Sequence, residues 1–430
     1  MGVRLPRRDP SSLWDVSIRE GKIQAVEPHD YDSPDLSTIP SVLDASDRFL
    51  APSLCHAHIH LDKCFILQDP KFSDLEIIKG DFNEAMSLTG QAKKRFEEDD
   101  LLRRGRRLIE ESIQAGVTHM RAFVELDGDV MTKCLDAGLK LKKEFQDRCE
   151  IQICAFAQYA IFSGPDGGEL VRDLMREAAK LDDVDVVGST PYVEQDIVKM
   201  KMNVRWISSL ALNHGKHLDF HMDYHLDETK RPFMFDALRI LHERNWRHRN
   251  GKAITMGHCT RLTCFKQKEQ WKELGDAIGT LPVHFVGLPT SDLFMMRTSS
   301  GVRGTLNVLE MIEWHLLNAS IAINNVGNAF TPHGSCDPLS IASMCVGVYQ
   351  AGTKKDAELL YDCVSSRAKS AIGLPQTSLN ILPGEPANFV ILGKHDDSWR
   401  TKKSIAEIVY DGGGGRMTIK DGRLTTPRGR

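Results

Sequence analysis

The residues with the clearest potential for chemistry are two histidines separated by one residue, His58 and His60, at the end of the apolar run LCHAHIH. Alternate side chains of a strand share a face, so these imidazoles lie about 7 Å apart and can converge on one ion at roughly 2.0 to 2.1 Å each. A His-x-His pair that ends a strand therefore predicts a metal chelate. His56 has the same parity but lies about 13 Å from His60, so we expect it deeper in the same interior.

Two further histidines, His221 and His258, end the apolar runs HLDF and AITMG. A single histidine in such a place is usually structural. Here four histidines lie at the ends of three apolar runs, beside Gly, Asp or Cys rather than apolar partners. This concentration favours one shared divalent metal site, because imidazole nitrogen is a common ligand of such ions.

A repeating scaffold is needed to bring these side chains together. From about residue 53 to 352, short β-rich apolar runs alternate with segments of helical period. Eight such alternations predict an α/β fold, a closed parallel (β/α)8 TIM barrel with its functional groups at the carboxyl ends of the strands. The alternative is an open doubly wound sheet. The predicted strands are 53–60, 116–125, 149–158, 183–190, 216–223, 253–259, 282–289 and 320–328.

The two ends of the chain do not follow this alternation. Residues 1–52 contain VSIREGKIQAVEPHD, and residues 376–430 contain ILPGEPANFVILGK, SIAEIVYDGG and RMTIKDGRL. Short alternating runs with Gly turns predict strands, so we expect one small β-sandwich built from both ends, with the barrel occupying residues 53–375. GGGG at 412–415 indicates a flexible turn rather than a phosphate loop, since no helix with a Lys-Ser/Thr pair follows it.

Composition is that of a globular protein that acts on small molecules. The net charge is −4, from 55 basic and 59 acidic residues, which gives no reason to expect a nucleic-acid or membrane partner. No apolar run reaches the roughly 18 to 20 residues of a membrane span, and the opening MGVRLPRRDPSS lacks a secretory core. The ten cysteines are scattered without a CxxC pair. We therefore expect a cytoplasmic protein with reduced thiols.

With these residues in place, the chain resembles the amidohydrolase superfamily, most closely its cytosine deaminase and N-isopropylammelide amidohydrolase branch. APSLCHAHIHLDK is similar to the first-strand motif of that branch, AFAQ at 155–158 to its third-strand segment, and DVDVVGSTPYVEQD to its fourth-strand signature. HLDFHMD and GHC follow in family order. The resemblance covers essentially the whole chain.

The resemblance implies that His58, His60 and His221 bind a divalent metal, Zn or Fe. It implies that His258 hydrogen-bonds the substrate carbonyl or a metal-bound oxygen, and that Gln158 reads the edge of a cyclic amide or pyrimidine-like ring. Such an ion lowers the pKa of bound water toward about 7 and polarises the group under attack. The implied activity is hydrolysis of a C–N bond in a small heterocycle, by deamination or by cyclic amide or amidine hydrolysis. The resemblance further implies a homo-oligomer.

The family pattern is broken after the predicted fifth strand. The family has His-x-Asp-Glu there, with the Glu moving protons, whereas this chain reads HMDY from His221 to Tyr224. A register shifted by four residues would restore HLDE, ending at Glu228, but the strand ends naturally at Phe220. We therefore expect the acid/base Glu to be missing.

The pattern is broken again after the eighth strand. The family has an Asp that binds metal and accepts protons, whereas this chain reads NNVGN from Asn324 to Asn328. An amide can coordinate weakly or hydrogen-bond but cannot accept a proton near neutral pH, so we assign Asn325 to substrate binding. Asp337 could reach back only through an unusual loop. Three histidines and a water can still hold zinc.

Proton transfer, typically worth about 10²- to 10⁴-fold, must then be carried by other groups. Lys63, next to Asp62, could be such a group, but a structural role in a salt bridge explains it equally well. The candidate catalytic residues are His258, Tyr224, Asp223 and Glu228, with Asp62 as a further candidate.

Three functions fit these observations. The first is a metal-dependent hydrolase with substituted proton carriers, acting on carbon-nitrogen bonds other than peptide bonds. The second is non-hydrolytic chemistry on the same barrel, such as isomerisation, decarboxylation or cyclisation, with the ion as Lewis acid and Tyr224 as proton donor. The third is a catalytically inactive barrel retained for binding.

Overall fold

The computed structural model describes residues 1–32, 39, 41–45, 47–164, 166–249, 251–394 and 398–426. The strands of this described part, in chain order, are β1 (Trp14–Arg19), β2 (Lys22–Pro28), β3 (Leu50–Pro52), β4 (Leu54–His60), β5 (Val117–Glu125), β6 (Glu150–Ala157), β7 (Val184–Ser189), β8 (His217–Met222), β9 (Ile254–His258), β10 (Val283–Gly287), β11 (Ala319–Ile321), β12 (Phe389–Ile391), β13 (Met417–Lys420) and β14 (Arg423–Leu424).

The α-helices of the same described residues are α1 (Phe82–Lys93), α2 (Glu98–Gln114), α3 (Lys133–Phe145), α4 (Glu169–Lys180), α5 (Ile197–His214), α6 (Met234–Glu243), α7 (Trp246–Arg249), α8 (Lys268–Ile278), α9 (Pro289–Met295), α10 (Val308–Glu313), α11 (Pro338–Val348), α12 (Lys354–Cys363), α13 (Ser366–Ala371) and α14 (Ile405–Tyr410).

Strands β4 to β11 form one parallel sheet in sequential order. A parallel bridge between Ile59 and Asn324 joins the first of these strands to the segment after the last. In this bridge His60 N donates to Asn324 O at 2.8 Å, and Asn324 N donates to His58 O at 3.2 Å. Helices follow the strands in alternation, so the predicted (β/α)8 barrel is confirmed.

The first seven barrel strands lie within the predicted ranges, but the eighth is much shorter than predicted. It ends at Ile321, because the following residues turn: Asn324 and Gly327 have φ of 69° and 61°. Asn and Gly are the residues that accept this left-handed conformation most readily. The segment NNVGN therefore forms a turn at the mouth of the barrel rather than the end of a strand.

A β-bulge in β4 decides which histidines face the barrel interior. His56 pairs with Met120 and Ile59 with Ala122, so β4 advances three residues where β5 advances two. One extra residue reverses the side-chain alternation, as bulges near functional sites often do. Nε2 of His56 lies 3.0 Å from Oγ of Ser112 on the outer helix α2. The prediction that His56 lies in the interior with His60 is therefore wrong.

The interior below the histidines is filled by a polar network and by apolar side chains. Arg121 of β5 pairs with Asp219 of β8 at 2.8 Å, with both side chains 0% exposed, and also donates to Thr255 and Gln152. Above this network pack Phe123, Cys154, Phe156 and Val186. The interior of the barrel beneath its mouth is therefore a packed core.

Both ends of the chain build the small β-layers. Strands β14, β13, β12 and β3 form one antiparallel sheet, and β1 pairs with β2 in a second. Side chains from both sheets, among them Val16, Ile23, Leu50 and Ile391, share one apolar core.

Residues 405–410, which the alternation predicts as a strand, instead form α14. Ser404 Oγ accepts from Glu407 N at 3.3 Å, and Glu407 in turn accepts from Lys403 N. This Ser-x-x-Glu cap is a helix-start signal that outweighed the apolar alternation.

All ten cysteines are free thiols, and nine of them are buried. None of the described helices is both long and apolar enough to span a membrane.

Candidate metal centre and active site

Three histidines meet at the mouth of the barrel. His58 and His60 come from the end of β4 and His221 from β8, and one ring nitrogen of each lies within 4.8 Å of the others. Nε2 of His60 lies 3.2 Å from Nε2 of His221. All three side chains are buried, with at most 2% exposure. The structure therefore brings together the three histidines that the sequence predicts as ligands.

The chemistry of this donor set fits a divalent metal ion. Burial, together with neighbouring positive charge, lowers the pKa of His58, His60 and His221 well below the ordinary range. Neutral imidazole is the form that binds metal. Nδ1 of His60 and Nδ1 of His221 are buried and have no hydrogen-bond partner among the described residues. Unpaired buried nitrogens are costly, and each such atom in a folded protein calls for an explanation, of which a bound ion is one.

His258 ends β9 and faces the same space, but a carboxylate holds it. Its Nδ1 lies 2.8 Å from Oδ1 of Asp292, a 0%-exposed residue of α9. Oδ2 of Asp292 accepts from Thr305 Oγ1 at 2.8 Å and Leu288 N at 3.3 Å. Burial raises the pKa of Asp292, although the hydrogen bonds from His258 and Thr305 oppose this. The pair places a proton on Nδ1 and leaves Nε2 as the basic ring nitrogen.

Tyr224 lies against His258 and lines the cavity. The two ring centroids are 3.8 Å apart with planes at 33°. Its hydroxyl donates to the backbone oxygen of Ser291 at 3.3 Å, and burial raises its pKa well above the ordinary value. Tyr224 therefore presents its aromatic ring to the cavity, while its hydroxyl proton is hydrogen-bonded to Ser291.

Asp223 and Glu228, predicted as catalytic candidates, are not brought into the cavity. Oδ1 and Oδ2 of Asp223 accept from the backbone N–H groups of Phe233 and Met234, at 2.8 and 3.0 Å, where α6 begins. Glu228 lies on the surface and pairs with Lys266 at 2.7 Å. Because β8 ends at Met222, the shifted HLDE register lies in the loop beyond it.

Asp337, weighed as a replacement carboxylate, is also remote from the site. Its side chain accepts from Leu339 N at the start of α11 and pairs with Arg416 at 2.7 Å. A carboxylate that makes these two contacts does not reach the mouth of the barrel, and Asp337 does not line the cavity. Among the described residues no carboxylate lines the cavity, which agrees with the losses read from the sequence.

Amide side chains take the place of carboxylates along one wall. Asn324 and Asn325 both line the cavity. Nδ2 of Asn324 donates to Ser291 Oγ at 2.8 Å, and its side chain also interacts with His58. Oδ1 of Asn325 accepts from Asn328 Nδ2 at 2.8 Å. This bond fixes the orientation of the Asn325 amide, whose N–H groups have no acceptor in the part of the chain that the structure describes.

A buried charge network lies beside the histidines, and of its members the sequence analysis considered a salt bridge only for Lys63, without its partner Glu125. Lys63 donates to Oε1 of Glu125 at 2.6 Å and lies 3.4 Å from Oε1 of Gln158, which also lines the cavity. Lys93 of α1 donates to Oε2 of Glu125 at 2.5 Å and pairs with Asp127. Although burial alone would raise it, the two lysines lower the pKa of Glu125 to about 2.

Aromatic side chains cover the cavity. Phe82, the first residue of α1, contacts Tyr224 and Phe330 at centroid distances of 6.0 and 5.8 Å, and Tyr192 lies 6.2 Å from Tyr224. The free space beneath them is about 20 Å³, room for about one water molecule. A substrate ring can enter only if these side chains move.

Comparison with known proteins gives one consistent picture. No protein family model matches the chain. It is 22% identical over 425 residues to N-isopropylammelide isopropyl amidohydrolase from Pseudomonas sp. strain ADP, covering 97% of this chain and 94% of that protein. The crystal structure of 5-methylcytosine deaminase from Klebsiella pneumoniae, liganded with 5-fluorocytosine, gives a TM-score of 0.83 at 23% identity, covering 100% of this chain and 97% of that one.

A third similar protein was solved with a metal. Atrazine chlorohydrolase from Arthrobacter aurescens TC1, complexed with zinc, gives a TM-score of 0.67 at 16% identity, covering 96% of this chain and 90% of that one. At such identities the likeness establishes the fold. These findings agree with the resemblance noted from the strand-end motifs: over nearly its whole length, this chain has the fold of these two solved structures.

Proposed function

We propose that this protein is a metal-dependent hydrolase that cleaves a C–N bond in a small nitrogen heterocycle, releasing ammonia or an amine. The observation that carries the proposal is the convergence of His58, His60 and His221, buried and neutral, at the carboxyl ends of the barrel strands. The proteins of like fold named above act on such rings. Ligands at this end of the barrel are where enzymes of this architecture carry out their chemistry.

The three histidines would hold a divalent ion, Zn or Fe. When bound, the ion supplies a Lewis acid for the ring carbon under attack and a water of lowered pKa. Every ligand in this set is neutral, and Asn324 and Asn325, which line the same cavity, carry amides rather than carboxylates. Binding of the metal then depends on the packing of the imidazoles more than on charge attraction.

His258 is the best-placed proton carrier, with Asp292 as its positioning residue. Hydrolysis moves one proton from the attacking water to the departing nitrogen as the C–O bond forms and the C–N bond breaks. Nε2 of His258 accepts the first proton and passes it to the departing nitrogen, while the second proton of the water stays on the product as its hydroxyl or ring N–H, so atoms and charge balance over the cycle. Asp292, 2.8 Å from Nδ1, keeps that nitrogen protonated and stabilises the imidazolium between the two transfers.

The remaining cavity wall suits a flat ring with hydrogen-bond acceptors on its edge. Gln158 and Asn325 present amide groups to the cavity, while Tyr192, Tyr224 and Phe330 offer aromatic faces. Aromatic faces stack on planar rings, and a closed cover excludes bulk water from the reacting bond. These side chains can therefore orient a heterocycle although no carboxylate side chain of the described residues takes part.

The first test is metal content and nitrogen release by the purified full chain. We expect about one zinc or iron per chain by plasma mass spectrometry, and ammonia or amine release from at least one ring in a panel of lactams, aminopyrimidines and aminotriazines. His60→Ala should lose both metal and activity. His56→Ala is the matched control, because His56 lies on the same strand but faces α2, and it should keep the metal. Absence of metal from the wild-type protein, or equal metal content in both variants, would refute the proposal.

One observation favours a second candidate function. No carboxylate of the described residues lines the cavity, and carboxylates usually carry the protons of hydrolysis in this fold family. Non-hydrolytic Lewis-acid chemistry, such as isomerisation or decarboxylation, makes fewer demands of this kind. A protein that retains its metal and converts a ring substrate without releasing nitrogen would support this alternative.

A further inference from the structure

We infer that the cavity selects a planar heterocycle that carries an ionised oxygen, a carboxylate or the oxyanion of an acidic imide, and that Lys63 recognises it. This inference deepens the proposed function, since it concerns the substrate class of the same cavity. It does not depend on which bond is broken, so it can be tested by binding alone.

Lys63 is the one lysine or arginine among the described residues that line the cavity. Its side chain is 3% exposed, and its ammonium lies 5.0 Å from the ring centroid of Phe330 in the aromatic cover. A buried ammonium is costly unless it is paired and hydrogen-bonded. A ligand that displaces the aromatic side chains over the cavity would therefore contact the ammonium of Lys63.

The partners of Lys63 leave one of its N–H donors available. Glu125 accepts from both lysines, with its second oxygen 2.5 Å from Lys93, and Lys93 also pairs with Asp127. An ammonium has three N–H donors. One goes to Glu125 at 2.6 Å and one to Gln158 at the longer distance of 3.4 Å; the third has no acceptor among the described residues and remains for a ligand. Asp62 does not line the cavity; it accepts from Glu125 N at 2.7 Å, and one of its carboxylate oxygens lies within 4.8 Å of a ring nitrogen of His60.

The neighbouring amides present donors beside this cation. Oδ1 of Asn328 accepts from the backbone N–H groups of Phe330 and Thr331, at 3.0 and 3.1 Å, so Nδ2 of Asn328 must be its donor end. That Nδ2 donates to Asn325 Oδ1 and to the backbone oxygen of Lys63. Asn325 is thereby fixed with its N–H groups unclaimed. A cation next to amide donors, in a cavity that no carboxylate of the described residues lines, favours an anionic acceptor over a neutral or cationic group.

The alternative is that Lys63 only balances the buried charge of Glu125. A lysine with that role can be replaced without changing which ligands bind. Lys93 provides the matched control, because it pairs with the same carboxylate, is equally buried, and does not line the cavity. The two lysines separate ligand recognition from charge balance within one network.

The experiment measures calorimetric binding of two rings that differ only by a carboxylate, uracil and orotate, to the metal-loaded protein. A charge-assisted hydrogen bond in a buried site is worth about 10- to 100-fold in affinity. We expect wild type to bind orotate at least about tenfold more tightly than uracil. Lys63→Met should abolish the ratio and Lys63→Arg should keep most of it. Lys93→Met should keep the ratio even if its melting temperature falls.

Several outcomes would overturn the inference. One is wild-type protein that binds uracil as tightly as orotate, or binds neither ring. Another is a Lys63→Met variant, folded by circular dichroism, that keeps the orotate preference, since another group such as the ion would then recognise the carboxylate. If Lys63→Met does not fold, the wild-type and Lys63→Arg ratios decide the question. Failure of nitrogen release with an intact, Lys63-dependent orotate preference would reject the proposed hydrolysis and keep the inference.

Discussion

Replacing Asp292 with asparagine should reverse the proton pattern of His258 while leaving the fold intact. Oδ2 of Asp292 receives two donors, Thr305 Oγ1 at 2.8 Å and Leu288 N at 3.3 Å. In Asp292→Asn the amide oxygen must take that place, so the amide nitrogen faces Nδ1 of His258. Nδ1 then becomes an acceptor, and the proton moves to Nε2 on the opposite side of the ring.

The size of the effect follows from which contacts survive. All three hydrogen bonds around position 292 can re-form, so the free energy of unfolding should change by no more than about 1 to 2 kcal/mol. The proton-accepting nitrogen of His258 is lost, however, and a positioned acid/base group is worth about 10²- to 10⁴-fold in rate. We therefore expect kcat to fall by at least about 100-fold.

Two measurements check this prediction on the metal-loaded protein. Steady-state kinetics on a ring from the nitrogen-release panel gives kcat, and ¹⁵N NMR of labelled histidine reports which ring nitrogen of His258 carries the proton. Thr305→Val is the control, because it removes one hydrogen bond to Asp292 without touching His258; its kcat should fall less than about tenfold. A tautomer unchanged in Asp292→Asn, or a kcat within threefold of wild type, would refute the role given to this pair.

Three further predictions concern the barrel interior and the metal centre. Arg121→Leu should lower the free energy of unfolding in urea by about 3 to 5 kcal/mol, because it leaves Asp219 buried without its 2.8 Å partner. Lys369 is fully buried, and burial lowers its pKa from 10.5 to about 8. The unfolded chain therefore holds this proton more tightly between pH 8 and 10.5, and stability should rise with pH by up to roughly 3 kcal/mol relative to Lys369→Met. Gly257→Ala should weaken metal binding at least about tenfold in a chelator competition, since a Cβ there lies 3.2 Å from His58 Cε1.

Each of these has its own control. The double variant Arg121→Leu, Asp219→Leu should recover most of the lost stability, and a double variant as unstable as the single one would contradict the buried-charge explanation. A stability difference between wild type and Lys369→Met that does not vary from pH 8 to 10.5 would contradict the pKa of that lysine. Gly275→Ala places a methyl group where no atom lies within 4 Å, so its metal affinity should match wild type.

Sequence periodicity predicted the barrel and the three converging histidines because both depend on local patterns. His58, His60 and His221 each end an apolar run, and parallel strands bring such ends to one rim. The misplacement of His56 has the opposite cause. Side-chain alternation holds only while two strands advance together, and the bulge between His56 and Ile59 is a property of strand pairing that alternation alone does not show.

The partners of the site residues could not be predicted for a related reason. Glu125 ends its strand, but Lys63 and Lys93 lie 62 and 32 positions away from it in the chain. Asp292 is 34 positions from His258. Pairing at such distances is decided by how helices and loops pack on the strands. Asp223 is the opposite case. It lies two residues from the predicted ligand His221, but its carboxylate accepts from backbone N–H where α6 begins and does not reach the cavity.

Asn324 joins the last turn of the barrel to its first strand through the backbone of His58 and His60. The positions of the two histidines therefore depend on the backbone bridge that closes the barrel. Local unfolding that breaks this bridge would separate the three histidines while the other strands stay paired. Bound metal should accordingly slow hydrogen exchange at the amides of His60 and Asn324 more than at the amides of β6 or β7, and activity should be lost in denaturant before the bulk of the secondary structure.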